Sequence, residues 1–469
     1  MASALQLSLL VLCSYGCTIA LAVATGHQER KFTVVPTAFL QSSSEEASCS
    51  TPRGTPHANR VSVPLAHRNG PCSPVRGKGE LPRAEMLRRD RERTEYIIRR
   101  ASRSRRLQDN NDAVSVPTQL GSSYDSQEYV ATVGLGTPAV PQTLILDTGS
   151  SLTWVQCKPC NSSQCYPQRL PLFDPNTSSS YSPVPCDSQE CRALAAGIDG
   201  DGCTSDGDWG CAYEIHYGSG ATPAGEYSTD ALTLGPGAIV KRFHFGCGHH
   251  QQRGKFDMAD GVLGLGRLPQ SLAWQASARR GGGVFSHCLP PTGVSTGFLA
   301  LGAPHDTSAF VFTPLLTMDD QPWFYQLMPT AISVAGQLLD IPPAVFREGV
   351  ITDSGTVLSA LQETAYTALR TAFRSAMAEY PLAPPVGHLD TCFNFTGYDN
   401  VTVPTVSLTF RGGATVHLDA SSGVLMDGCL AFWSSGDEYT GLIGSVSQRT
   451  IEVLYDMPGR KVGFRTGAC

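Results

Sequence analysis

One short motif occurs twice in this chain, and that echo restricts the fold more than any bulk property. Leu144-Ile145-Leu146-Asp147-Thr148-Gly149-Ser150 is matched by Val350-Ile351-Thr352-Asp353-Ser354-Gly355-Thr356. In each copy a largely apolar, β-prone run delivers an aspartate into a Gly-containing loop. Each copy is followed by a second apolar run closed by glycine: Asp260-Gly261-Val262-Leu263-Gly264 after the first, Gly441-Leu442-Ile443-Gly444 after the second. A lone Asp-Thr-Gly is an ordinary Asx turn, stabilised by its own side-chain hydrogen bonds. Two copies in the same strand-loop context imply two duplicated lobes, each presenting one aspartate at a loop tip.

Such a pair has a definite chemistry. Two carboxylates held close together cannot both ionise cheaply, so they share one proton over a broad acidic range. The ionised member can take a proton from a bound water, which then attacks a peptide carbonyl. The protonated member hydrogen-bonds that carbonyl and stabilises the developing oxyanion. Gly149 and Gly355 allow tight loops. The hydroxyls of Thr148, Ser150, Ser354 and Thr356 are expected to orient the two carboxylates.

The surrounding sequence reads as all-β. From Tyr129 onward, β-prone runs such as Tyr129–Leu135, Thr143–Leu146, Arg242–Gly246, Phe298–Leu301, Val401–Phe410 and Lys461–Phe464 alternate with Gly/Pro punctuation. Helical periodicity is confined to Leu361, Ala365, Leu369, Phe373 and Met377, and to a shorter stretch over Ser271–Arg279.

The N-terminal quarter is different in kind. Met1 to Gln28 holds no Lys, Arg, Asp or Glu, and its apolar run ends at Ala22-Val23-Ala24. That suits a cleaved signal peptide over residues 1–24. Gln6, Ser8, Ser14 and Thr18 interrupt the run and make it a poor membrane anchor. Residues 1–107 hold 17 basic and 8 acidic side chains, whereas 108–469 hold 18 and 33. Ten arginines fall between Arg83 and Arg106, where Met86, Leu87, Tyr96, Ile97 and Ile98 can line an amphipathic helix. We read residues 25–113 as a basic prosegment that lies on an acidic body, inhibits it, and leaves when carboxylates protonate. Its polar junction near Arg106–Val114 suits processing. The lobes then run from 114 to 310, with Asp147, and from 311 to 469, with Asp353. An acidic body is a poor nucleic-acid binder, although the basic arm keeps that alternative open.

Residues 129–469 resemble the pepsin-type aspartic proteases, specifically the plant nepenthesin-like branch. The resemblance rests on Tyr129-Val130…Gly136-Thr137-Pro138, on Asp147-Thr148-Gly149-Ser150-Ser151-Leu152-Thr153-Trp154, and on Tyr217-Gly218-Ser219-Gly220, which is similar to the family's flap. Upstream, His67-Arg68-Asn69-Gly70-Pro71-Cys72-Ser73-Pro74 resembles the prosegment of this branch, a pattern shared with proteases described as chloroplast nucleoid DNA-binding. Gly444-Ser445 departs from the family's usual Gly-Asn. The resemblance implies a bilobed all-β fold and a catalytic dyad of Asp147 and Asp353. It also implies a flap with Tyr217 and Gly218 at the substrate, and Trp154 supporting that tyrosine. Protein or peptide substrates, a monomeric state, and no metal or other cofactor follow from the same likeness. Relatives of this fold in plants also include inactive inhibitors; loss of a dyad aspartate would signal one, and both are present here.

Of 16 cysteines, twelve lie in the body, an even number that suits disulfides in an oxidising compartment. Cys157-Lys158-Pro159-Cys160 is half a zinc pattern without a matching half. The resemblance implies Cys157–Cys160, Cys165–Cys247, Cys186–Cys211, Cys191–Cys203, Cys288–Cys469 and Cys392–Cys429. Sequons at Asn161, Asn176, Asn394 and Asn400 accompany the leader. Together they point to a secreted protein, with vacuole and plastid as alternatives.

Overall fold

The duplicated sequence becomes a duplicated topology. In this computed structural model the described residues are 31–37, 40, 49, 60–75, 83–109, 129–160, 163–195, 202–203, 210–217, 221–252, 256, 258–277, 282–291, 295–316 and 323–469. The Val140–Asp147 strand pairs in parallel with Gly261–Gly264, and Val350–Thr352 pairs in parallel with Gly441–Ile443. In each lobe the glycine-closed strand also runs antiparallel to a short strand beyond the aspartate, Trp154–Gln156 in one and Ser359–Leu361 in the other. A further strand then adds in parallel, Ala238–Gln252 or Phe432–Ser434. These central strands are apolar on both faces because both faces are covered, and every residue of Gly261–Gly264 and Gly441–Ile443 is buried. The closing glycines are steric necessities. A Cβ on Gly264 would lie 2.5 Å from the Ser151 carbonyl oxygen, and one on Gly444 only 2.4 Å from that of Leu358.

A long sheet joins the lobes. It runs from Val311–Pro314 through Lys461–Arg465, Glu452–Asp456, Val284–Cys288 and Thr296–Leu301 to Val61–His67, Tyr129–Leu135 and Val140–Asp147. Smaller sheets complete the C-terminal lobe, and the fold is all-β, bilobed and pepsin-like. Helices are few among the described residues. Ala365, Leu369 and Phe373 are buried along Glu363–Ala376, with Met377 at its C-cap. Leu361, which shares their spacing, belongs instead to the preceding strand. The Ser271–Arg279 pattern yields a helix over Leu272–Ser277.

The basic arm does more than lie on an acidic surface. Phe32–Pro36 pairs antiparallel with Asn400–Pro404. Val61–His67 is inserted between Thr296–Leu301 and Tyr129–Leu135, inside the joining sheet. Val63 and Leu65 are fully buried in the main core, and Met86, Leu87, Ile97, Ile98 and Ala101 of the Arg83–Asp109 helix pack in the C-terminal lobe. Just before the inserted strand, the guanidinium of Arg60 meets the buried carboxylate of Glu452 at 3.3 Å, a carboxylate that Arg465 contacts at 2.5 Å. Charge arithmetic sees the attraction between arm and body. It does not see that the arm's apolar residues complete the body's sheets.

Four expected disulfides are corrected. Cys157 bonds Cys247, Cys160 bonds Cys165, Cys186 bonds Cys203 and Cys191 bonds Cys211. Trp154–Gln156 and Ala238–Gln252 are parallel neighbours with Val155 opposite Cys247. That register carries Cys157 to within 5.4 Å of Cys247 (Cα to Cα) and leaves Cys160 to Cys165. Cys191 and Cys211 are both buried, whereas Cys203 is exposed and meets the half-buried Cys186. Cys288–Cys469 and Cys392–Cys429 pair as expected, and the arm carries its own link, Cys49–Cys72. Asn176, Asn394 and Asn400 are exposed, and Asn161 lies outside the described residues.

Two measurements check these features. Leu65→Ala in the full chain should lower stability by about 2–5 kcal/mol in chemical denaturation, whereas an arm resting on the surface would register almost nothing. Asp260 is fully buried and its carboxylate accepts the Thr143 N–H at 2.6 Å. Burial raises its carboxyl to about 7. The stabilisation from the neutral form is complete below the ordinary range near ~4 and fades as pH rises through that raised value. Asp260→Asn should therefore flatten the loss of stability between about pH 4 and 8.

Candidate active site

Each aspartate reaches the site because its strand ends there. Asp147 is the last residue of Val140–Asp147, and its carbonyl accepts the Leu265 N–H at 2.8 Å. Asp353 follows Val350–Thr352, and its N–H donates to Ile443 at 3.1 Å. The loops beyond them lock reciprocally. The Ser354 N–H donates to Thr148 Oγ1 at 2.9 Å, and the Thr148 N–H donates to Ser354 Oγ at 3.1 Å. Ser354 Oγ also reaches the Leu146 carbonyl at 3.3 Å.

Within that frame the carboxylates have matching partners. The Gly149 N–H donates to Asp147 Oδ1 at 2.9 Å, and the Gly355 N–H to Asp353 Oδ1 at 3.0 Å. Ser150 Oγ donates to Asp147 Oδ2 at 2.6 Å, as Thr356 Oγ1 does to Asp353 Oδ2 at 2.6 Å. Both aspartates are fully buried. A Cβ on Gly355 would sit 2.5 Å from Asp147 Oδ1, and one on Gly149 would sit 2.9 Å from Asp353 Oδ1. Glycine at these positions lets the two loops close on each other. Burial holds the Asp147 carboxyl above the usual carboxylate range; Arg93 opposes that rise and Asp353 adds to it.

Tyr217 and Trp154, which the resemblance pairs, lie in contact. Trp154 Nε1 donates to Tyr217 Oη at 2.9 Å, and the rings of both pack against Phe256. Tyr217 is buried. Gly218 lies outside the described residues.

Arg93 is the residue that sequence reasoning missed. Its Nη2 lies 2.8 Å from Asp147 Oδ1 and 3.2 Å from Asp353 Oδ2, and its Nε donates to Thr356 Oγ1 at 3.2 Å. One guanidinium, 4% exposed, thus bridges both aspartates. One turn earlier on the same helix, the Asp90 carboxylate accepts the N–H groups of Val357 and Leu358 at 2.6 and 2.8 Å. One turn later, Tyr96 Oη donates to the His216 carbonyl beside Tyr217 at 3.0 Å. A signal existed: Asp90, Arg93 and Thr94 fall on the same stripe as Leu87, Ile97 and Ala101 at i+3/i+4 spacing. Polar residues on an apolar stripe mark a site.

The reciprocal lock can be tested without any assay of catalysis. Thr148→Val removes the acceptor for the buried Ser354 N–H and should cost about 1–3 kcal/mol in denaturation. Thr148→Ser should recover most of it.

Comparison with known proteins agrees with this geometry. Two family models match in tandem, xylanase inhibitor N-terminal over residues 129–303 and xylanase inhibitor C-terminal over 324–466. An aspartyl protease family protein of Arabidopsis thaliana is 38% identical over 458 residues, covering 95% of each chain. Aspartic proteinase nepenthesin-1 of Nepenthes gracilis is 32% identical, over 78% of this chain and 84% of the relative. Among solved structures, basic 7S globulin from soybean aligns with a TM-score of 0.58 at 20% identity, covering 73% of this chain and 93% of its own. Conglutin gamma from lupine seeds gives 0.56 at 22%, with coverage of 73% and 93%; these two likenesses bear on fold alone. The paired aspartates on duplicated loops, together with these relatives, place the chain in the pepsin family of aspartic proteases, among its plant members, as an aspartic-type endopeptidase.

Proposed function

We propose that this chain is an aspartic endopeptidase of the secretory pathway, made as an inactive precursor whose own arm occupies the catalytic dyad. The observation that carries the reading is the buried guanidinium of Arg93, bonded to both Asp147 and Asp353. A cation in that position fills the place of the attacking water and pairs with charge that catalysis needs free. The helix carrying it also covers the groove beside the flap through Tyr96.

The chemistry follows from the geometry once Arg93 is gone. With one proton shared between two buried carboxylates, one aspartate removes a proton from water as the water adds to the peptide carbonyl. The other donates a hydrogen bond to the carbonyl oxygen, which gains negative charge in the transition state. Ser150 and Thr356 each donate to the Oδ2 of their aspartate and hold its carboxylate in place. Tyr217, held by Trp154, is in our reading the flap residue that meets the substrate.

Acid is the natural trigger. Arg93 lowers the proton affinity of Asp147, so by linkage proton uptake at Asp147 weakens the hold on Arg93. The site is locked at neutral pH and loosens as pH falls. The leader-like N-terminus, the disulfides and three exposed sequons support secretion, with vacuole and plastid as alternative destinations. As the family likeness implies, it acts on peptide or protein substrates, and we read it as a monomer. The xylanase inhibitor names of the family models raise a second reading, a binding protein of the same fold. The complete dyad with its full hydrogen-bond set favours the enzyme. A DNA-binding arm is disfavoured because Arg89 and Arg93 are buried and Arg88, Arg91 and Arg99 are paired with glutamates on the helix.

Acidified full-length protein should cleave an apolar peptide, and Asp147→Asn should lower kcat by about 10²–10⁴-fold. Equal activity in the two proteins would sink the dyad assignment. Arg93→Ala should move the onset of activity to higher pH, because release no longer depends on protonating the dyad. An unchanged onset would separate the arm from inhibition.

A further inference from the structure

The arm helix occupies a second polar site beside the dyad. Between Arg83 and Arg106, Glu85, Glu92 and Glu95 form ion pairs along the helix with Arg88, Arg89, Arg91 and Arg99. Asp90 is turned instead into the body, fully buried, with one carboxylate oxygen on the Val357 N–H and the other on the Leu358 N–H. These two donors follow Thr356 directly and are held rigidly from behind. The Thr356 and Val357 carbonyls accept the N–H groups of Ser445 and Val446 at 2.7 and 3.1 Å, and Gly444 packs against the backbone of Val357 and Leu358 without room for a Cβ. Two adjacent N–H groups fixed in this way converge on both oxygens of a carboxylate. A single carbonyl oxygen would satisfy only one of them, and a buried donor left unpaired is costly.

We propose that, once the arm has left, the Val357–Leu358 N–H pair is a carboxylate subsite of the protease, which selects substrates bearing Asp or Glu near the scissile bond. Asp90 and Arg93 lie three residues apart, a helical rise of about 4.5 Å, and an extended peptide advances about 3.3 Å per residue. The selected acid therefore falls within about two residues of the bond being cut. In the precursor Asp90 stands in for this substrate carboxylate, while Arg93 occupies the dyad. Negative charge on the dyad opposes an incoming acid, so the preference measures whether the two hydrogen bonds outweigh that repulsion. The proposal rests on the protease reading, and the test separates the two.

Acidified full-length protein is assayed near about pH 5.5, where a peptide carboxylate is ionised. The probes are matched peptides that carry either Asp or Asn at each of the two positions on either side of the scissile bond. At one position kcat/KM should be about tenfold higher or more for Asp, the scale of charge-assisted hydrogen bonds. Ratios at or below one at every position overturn the subsite and leave the protease reading intact. Complete absence of cleavage defeats the protease reading instead. The subsite is then read by amide exchange at Val357 and Leu358 in the same protein. Slower exchange with the Asp peptide than with the Asn peptide supports it, and equal exchange overturns it.

Discussion

The reciprocal hydrogen bonds between Thr148 and Ser354 are the contact on which the rest of the site depends. Each loop donates a backbone N–H to the other loop's hydroxyl, so neither aspartate can be positioned without its counterpart. The joining sheet brings the lobes together over a large area, but these two bonds set the approach of the loops at the point where atoms react. The absence of side chains at Gly149 and Gly355 then allows two carboxylates to lie close together in a fully buried setting. Such a placement is electrostatically unfavourable. It persists because backbone N–H groups and hydroxyls satisfy the oxygens, and because a cation from the arm occupies the gap.

That cation belongs to an arm that is itself part of the fold. The arm donates one strand to the joining sheet, another to the edge at Asn400–Pro404, and a helix to the groove. Its apolar residues fill positions that belong to the cores of both lobes. The helix presents its polar residues in sequence along one face: Asp90 at a backbone donor pair, Arg93 at the paired aspartates, Tyr96 at the His216 carbonyl beside Tyr217. A single amphipathic helix therefore contacts Asp147, Asp353 and the backbone beside Tyr217 at once. The ion pair and the buried apolar side chains both hold it in place.

The legibility of this site was uneven for physical reasons. Asp147 and Asp353, with their glycines and hydroxyls, announce themselves because the chemistry needs them in a fixed local order, and the order is repeated. Strand positions were legible wherever burial imposed alternation or a continuous apolar run. The C-terminal helix was legible from Ala365, Leu369 and Phe373, and the pattern overran its start because Leu361 is buried for a different reason. The disulfides of the N-terminal lobe were not legible. Seven cysteines crowd into Cys157–Cys211, and spacing along the chain does not say that Trp154–Gln156 will lie parallel to Ala238–Gln252. That register alone decides that Cys157 meets Cys247.

Arg93 shows the same limit at the centre of the function. Ten arginines in one stretch are interchangeable in a charge count, and the stripe that singles out position 93 acquires meaning only when the helix is docked. By itself the sequence determined the repeated aspartate loops, the all-β body and the basic character of the arm, since each is a property of residue type and local order. Tertiary structure alone decided which cysteines pair, which arginine enters the dyad, and that the arm is woven into the sheets. Those outcomes depend on strand register and on contacts between residues far apart in the chain, where local order carries no information.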